Sequence, residues 1–429
     1  RTYTTNNVSL PFQTSSSSSD PKILYAVNAH LVWDRYLTLV QGRQAHAPIK
    51  FNGQAFTANT SGLGWDYREW GANYWWQNTR QPYDNALMMG DVEVLDSLLH
   101  FYHNMLPYVQ ARTHAQFKDT DRPLPPHAAF YPETTTAFGT YAMEQWGCNS
   151  SIPRLHGASH NAFIRYHWSG GLELCLLILD RYAWTKDEAN LEKHFIVIQS
   201  ILAAYMARYP VGNNSQMDLF PIQALETWQC QDPMNRSDCV TNPTPDLAGL
   251  EAVLHRLLWL LPAHMVSSAQ RWEWEVYREA LPPIPRETIL NLTVIAAGQI
   301  LPQSPLNGEN VELYTVHPYR LYGVGKSGLN LAQATYLSRN WPCGVGWCQD
   351  VIDAAMLNLT DELVFRIQER IKSNAYYDET NPFRFPGFAG NFQDYAPSVD
   401  HFATLRTAVN FMLLSPLDNF DNNNNNNEN

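Results

Sequence analysis

The feature that most limits what this chain can become is a succession of apolar segments at helical spacing, several of them closed by Pro or Gly. Segments 23–40, 92–106, 172–184, 195–209, 247–261, 269–280, 329–338, 349–357, 362–372 and 401–414 read as helices, with shorter ones at 83–89 and 134–144. Gly42, Pro107, Pro210, Pro282 and Pro416 mark stops, and Asp91 and Asp246 read as caps. Most segments are apolar on more than one face, as helices in a two-layered arrangement are. Their connections are long and rich in Pro, Trp, Asn and Gly, and such loops usually carry function. The pattern predicts an all-α fold, an (α/α)6 barrel whose cleft is built by loops. No repeat period appears, which disfavours an α-solenoid. Residues 1–22, with the run Ser15 to Ser19, read as a linker or the tail of a preceding domain. Residues 23–416 read as the barrel, and 417–429 as an Asn-rich low-complexity tail.

Composition excludes several partners. Of 429 residues, 41 are acidic and 29 basic, for a net charge of −12, so no basic face for nucleic acid is expected. No uninterrupted apolar run of about 18 residues predicts a membrane span. The 14 Trp and 22 Tyr offer flat faces with a polar edge, which suit sugar rings and also suit a large core.

Six cysteines, Cys148, Cys175, Cys230, Cys239, Cys343 and Cys348, fit disulfides in an oxidising compartment. Cys230/Cys239 and Cys343/Cys348 are close in sequence, which leaves Cys148 with Cys175; buried free thiols are the other reading. No C-x2-C pair or ligand-spaced His suggests a metal. Sequons at Asn7, Asn59, Asn149, Asn213, Asn235, Asn291 and Asn358 point to N-linked glycans and a secreted, extracellular protein. Nucleotide and P-loop signatures are missing, so no cofactor is expected.

Three constellations carry the chemistry. In DYREWGANYWWQNTRQPY (66–83), aromatic and hydrogen-bonding residues alternate without an amphipathic period. A sugar site needs both ring faces and amide or guanidinium forks, so Trp75, Trp76, Gln77 and Arg80 are candidate sugar contacts. In MDLFPIQALETW (217–228), Glu226 sits among apolar residues that would keep it protonated as a general acid. In the aromatic, Gly-rich stretch 381–401, Asp394, Asp400 and His401 are available, and Asp400 reads as base or helix cap. Glu133 and His317 are further candidates, and Arg43, Lys50 and Asn52 weaker ones. Two separated acids on loops of a helical barrel match glycoside hydrolysis of an oligo- or polysaccharide. A lyase using His317 with Tyr319, and a catalytically degenerate glycan-binding or structural extracellular protein, are the alternatives; extracellular assembly is a further expectation.

At GRQAHAPIKFNG, DYREWGANYWWQNTRQPY, AAFYPETTTAFGTY, LFPIQALETW and CVTNPTPDLAGLEAVLHRLL the sequence resembles glycoside hydrolase family 95, inverting α-L-fucosidases and galactosidases, and an uncharacterised branch of it. The resemblance implies an (α/α)6 barrel, Glu226 as general acid, Asp400 as general base with Asp394 in reserve, and Asn78 as a water-orienting amide. The family's N-x-N-T amide motif is matched here by Trp76-Gln77-Asn78-Thr79, in which only Asn78 survives, and its GNFGG stretch after the base is replaced by His401-Phe402-Ala403-Thr404-Leu405.

Overall fold

The computed structural model describes residues 21–50, 73–84, 86–141, 159, 161–212, 217–343, 347–372 and 399–414. Helices dominate: α1 (Pro21–Gly42), α2 (Trp76–Thr79), α3 (Val92–Asn104), α4 (Leu106–Phe117), α5 (Ser169–Thr185), α6 (Glu188–Arg208), α7 (Thr244–Leu260), α8 (Ser268–Glu279), α9 (Leu329–Ser338), α10 (Asp350–Met356), α11 (Thr360–Lys372) and α12 (Val399–Leu413). Strands are short: β1 (Tyr74–Trp75), β2 (Thr134–Thr135), β3 (Thr241–Pro243), β4 (Arg286–Ile289), β5 (Leu292–Ile295) and β6 (Gly298–Ile300). β1 pairs with β2, β3 with β6 and β4 with β5, all antiparallel.

Sequence explains which helices lie inside. α5 reads SGGLELCLLILDRYAWT, apolar on every side, and it is buried along most of its length between α6 and α7. α8 carries one narrow stripe, Trp274 and Tyr277, and buries only that against α7. Side-chain caps fix two starts: Asp187 accepts from the Asn190 N–H at 3.1 Å, and Ser267 from the Gln270 N–H at 3.1 Å.

The packing order is continuous. α2 lies against the start of α5, so closely that a Cβ at Gly170 would meet Trp76 Cδ1 at 2.7 Å. α5 packs on α7, and α7 on a 3₁₀ turn, Val311–Thr315. Asn310 Nδ2, just before that turn, donates to Asp350 Oδ1 of α10 at 3.2 Å. α10 packs on α12, and α12 on the 3₁₀ turn Gln81–Tyr83 that follows α2. α6, α8, α11 and α1 lie against α5, α7, α10 and α12 respectively. The larger core cluster includes Leu98, Tyr102, Leu172, Ile198 and Leu250, with Trp168 stacked on Phe130 at 4.2 Å. A second cluster joins Val27, Val316, Tyr336, Ile352 and Leu405.

Several expectations are corrected. The described part of segment 134–144, residues 134–141, does not form a helix: its β-branched Thr134 and Thr135 pair with β1, and Gly139 turns the chain at φ 66°. In segment 83–89, Tyr83 ends the 3₁₀ turn Gln81–Tyr83, and residues 84 and 86–89 form turns. Pro107 ends α3 but also opens α4, because a first-turn residue needs no N–H. Asp91 precedes α3 without capping it; its carboxylate takes Arg35 at 2.9 and 3.0 Å instead. Asp246 lies inside the first turn of α7, where Tyr205 donates to it at 2.6 Å.

Disulfides join Cys230 to Cys239 and Cys343 to Cys348. Cys175 is a free thiol, fully buried in α5, and Cys148, its expected partner, lies outside the described residues. Among the described residues no helix is long and apolar enough to cross a membrane. Asn235, Asn291 and Asn358 are exposed, while Asn7, Asn59, Asn149 and Asn213 lie outside the described residues.

Candidate functional site

The segment 73–83 is built rather than looped. β1 pairs with β2, so Trp76 N–H meets the Glu133 carbonyl at 2.8 Å. The next turn is α2, whose Trp76, Gln77, Asn78 and Thr79 are all buried. Trp75 is half-buried beside it. The rest of the motif, 66–72, lies outside the described residues.

Arg80 follows α2 and is 1% exposed. It ion-pairs with Glu173 of α5, donates to Tyr314 Oη at 2.9 Å and lies 5.1 Å from that ring's centre. A buried guanidinium needs such partners, because leaving water is costly for an unpaired charge. Its field reaches Glu133, Glu309, Asp353, His167 and His317. Around this one cation the carboxyls are crowded and dry. Burial pushes Glu133 up to about 7, Glu173 to about 7 and Glu309 to about 8, although Arg80 opposes each shift. Asp353 is raised by burial and by its neighbour Asp350. Carboxyls in this range can hold and release a proton near neutral pH.

Glu133 is fixed twice: Gln77 N–H donates to its Oε1 at 3.2 Å, and the Thr134 hydroxyl to Oε2. Glu226 sits at the tip of a tight turn in which Ala224 and Trp228 exchange backbone bonds of 3.0 Å, with Leu225 at φ 50°. Asn307 Nδ2 donates to Glu226 Oε2 at 2.9 Å. Thr227 takes the Glu309 N–H on its hydroxyl at 3.2 Å and the Leu306 N–H on its carbonyl at 2.8 Å, so the two loops run together. The Glu226 N–H in turn favours the charged form of Glu309.

Asp400, fully buried in the first turn of α12, accepts from Asn78 Nδ2 at 2.6 Å. Arg370 of α11 feels its charge. The sequence candidates therefore meet in two groups: Asn78 with Asp400, and Gln77, Trp76 and Arg80 with Glu133. Glu226 joins the second group through Glu309. His317 is 3.2 Å from Asp84, and burial keeps it neutral by lowering its pKa. Tyr319 Oη donates to the Ser169 carbonyl at 3.1 Å, so the His317 and Tyr319 side chains serve different partners. Arg43 pairs with Glu93 at the surface, and Lys50 lies 4.9 Å from the Tyr74 ring centre. Asn52, Asp394 and the His401 side chain lie outside the described residues.

Sequence reasoning does not single out Glu173, Glu309, Tyr314 or Asp353. Glu173 carries a readable signal: a carboxyl on a helix apolar all round must be paired inside. Among the described residues no group of three His, Cys, Asp or Glu is arranged to hold a metal ion.

No family model matches the chain, and no curated protein matches it in sequence. Solved structures do match it in fold. "Glycosidase Wild Type" superposes over 91% of this chain and 99% of its own, with a TM-score of 0.57 and 12% identity. A variant glycosidase in complex with glucose covers 91% of this chain and 99% of its own, at a TM-score of 0.55 and 10% identity. "Putative kojibiose phosphorylase from human microbiome" covers 90% of this chain and 54% of its own, at 0.55 and 10% identity. The chain thus has a mostly helical, glycoside hydrolase-like fold, and the likeness does not single out family 95.

Proposed function

We propose that this chain is an inverting glycoside hydrolase acting on an oligo- or polysaccharide, built as an (α/α)6 barrel related to family 95. Glu226 delivers the proton to the leaving oxygen. Asp400, held by Asn78, takes the proton of the attacking water on the opposite face of the sugar. Trp75, Trp76, Gln77, Arg80 and Glu133 shape the sugar pocket between them. The inner order α2, α5, α7, the 311–315 turn, α10 and α12, most of them backed by an outer helix, supports the barrel reading.

The observation that carries the function is the Asn78–Asp400 bond. An amide and a carboxylate 322 residues apart meet at 2.6 Å, both buried, in a fold shared with glycosidases. That pair is what activating a water requires: a base and a donor fixed beside it. A glucose-bound neighbour of the same fold supports the substrate class. Two disulfides and exposed sequon asparagines at 235, 291 and 358 support secretion with N-linked glycans.

Reducing-sugar release from a glycan panel tests the activity, and NMR of the first-formed anomer tests the stereochemistry. Glu226→Gln and Asp400→Asn each abolish turnover while leaving sugar binding intact. Undiminished turnover in Glu226→Gln, or a first product of retained configuration, rejects the assignment.

A further inference from the structure

Beside the Arg80 centre, between the 308–310 segment and the start of α10, lies a small cavity strapped by the Cys343–Cys348 disulfide. Its volume is about 20 Å³, room for one water-sized group and not for a sugar ring. The chemistry of its wall is one-sided. Glu309 Oε2, Gln349 Oε1, Asp353 Oδ1 and His317 Nδ1 are buried polar atoms without a hydrogen-bond partner among the described residues, and all four residues line this cavity. Glu309 is 6% exposed and Asp353 2%. Buried oxygens left without donors are costly, so such a hole is shaped for something that donates.

The surrounding charges say which donor. Arg339 is taken by Asp350 at 2.7 Å, and Arg80 by Glu173 and Tyr314. His317 is bound to Asp84 and held neutral. Among the described residues, neither Glu309 nor Asp353 forms an ion pair, although the Arg80 charge reaches both and Arg339 reaches Asp353. Tyr314 and Trp347 add two aromatic walls, which also favour a positive charge. A bare divalent cation needs about six or more oxygens, which this wall does not offer.

We propose that this cavity is a subsite for a primary ammonium group, carried by an amino sugar of the glucosamine type. That the carrier is a sugar rests on the function proposed above; that the occupant is an ammonium rests on the cavity. Three N–H donors on one compact cation satisfy three of these four atoms in one small space, the cation taking the place of the protons that burial otherwise keeps on Glu309 and Asp353.

Calorimetric or NMR titration of glucosamine, glucose and N-acetylglucosamine, at matched ionic strength, tests it. Glucosamine binds at least about tenfold more tightly than either neutral sugar, as one charge-assisted hydrogen bond would give. In Glu309→Gln and Asp353→Asn, and in the double variant, the preference falls to within about twofold. Circular dichroism and the melting temperature confirm that each variant is folded. Because the protein is acidic overall, weak attraction of any cation survives these substitutions; a cavity-borne preference does not. Equal binding of glucose and glucosamine to the wild type overturns the proposal, as does a preference that persists in the double variant, or no binding of glucosamine. The hydrolase reading fails separately, by undiminished turnover in Glu226→Gln, a substitution that leaves the glucosamine-to-glucose binding ratio unchanged whichever way the turnover falls.

Discussion

Glu309 gives the sharpest test of how the interior is balanced. Its carboxyl is raised from 4.5 to about 8, first by burial, then by the Glu133 and Glu173 charges, with Arg80 and the Glu226 N–H opposing. A raised carboxyl binds a proton in the folded state that the unfolded chain has already lost. Its contribution is therefore fully present below pH 4.5 and is lost as pH rises to about 8. Over that window the slope is about 1.4 kcal/mol per pH unit, and the full loss is at most about 5 kcal/mol. Glu309→Gln keeps the shape of the protonated acid and never ionises. The stability difference between variant and wild type should be near zero at about pH 5 and reach about 2–5 kcal/mol in the variant's favour by about pH 8.5. Urea midpoints at intervals across that range measure it. Glu133 and Glu173 titrate in both proteins and largely cancel in the difference; losing a neighbouring charge adds to it with the same sign. A difference that does not change with pH would refute the idea that Glu309 is ionised at the expense of the fold.

Other outcomes follow from contacts. Asn78→Ala removes the donor at 2.6 Å from a buried carboxylate and should cost about 1–3 kcal/mol of stability. It should also lower kcat by about 10²–10³ with little change in KM, checked by steady-state kinetics on the active glycan. Neighbouring glycines should respond in opposite directions. A Cβ at Gly170 lands 2.7 Å from Trp76 Cδ1, so Gly170→Ala should cost about 1–3 kcal/mol. At Gly171 the nearest atom is Ile201 Cγ2 at 3.5 Å, so Gly171→Ala should gain about 0.4–1 kcal/mol by restricting the unfolded chain, both read from thermal unfolding.

The long helices are legible in the sequence because burial on two sides forces apolar residues all round, and Pro or Gly marks their ends. The β4–β5 hairpin is not. Its turn is Leu290–Asn291, at φ 50° and 67°, a geometry that normally announces itself as Asn-Gly. Leu290 hides that signal, and the strands expose most of their residues, so no buried alternation marks them. The pairing of Thr134 and Thr135 with β1 is equally silent, because a two-residue strand is specified by its distant partner and not by its own pattern.

The site divides along the same line. Trp76, Gln77, Asn78 and Arg80 stand out because polar and aromatic residues alternate there, although the sequence suggests an open loop and the chain forms a buried turn. Glu309 escapes notice because Asn-Gly-Glu-Asn looks like a solvated bend; only the Glu226 loop packed over it makes it a buried acid. What no single motif can convey is where the carboxyls accumulate. Glu173, Asp246, Asp350 and Asp400 each lie buried in the opening turns of α5, α7, α10 and α12. Helix N-termini favour negative charge, so this is the end of each helix where a dry carboxylate costs least. A scaffold needing only stability would fill those positions with apolar residues, which pack as well without desolvating an acid. Of the four, Glu173 and Asp246 are raised to about 7 by burial and so hold exchangeable protons in a dry interior. The hydrolysis proposed above needs one group to give a proton and one to take it, a role that dry carboxyls of this kind suit.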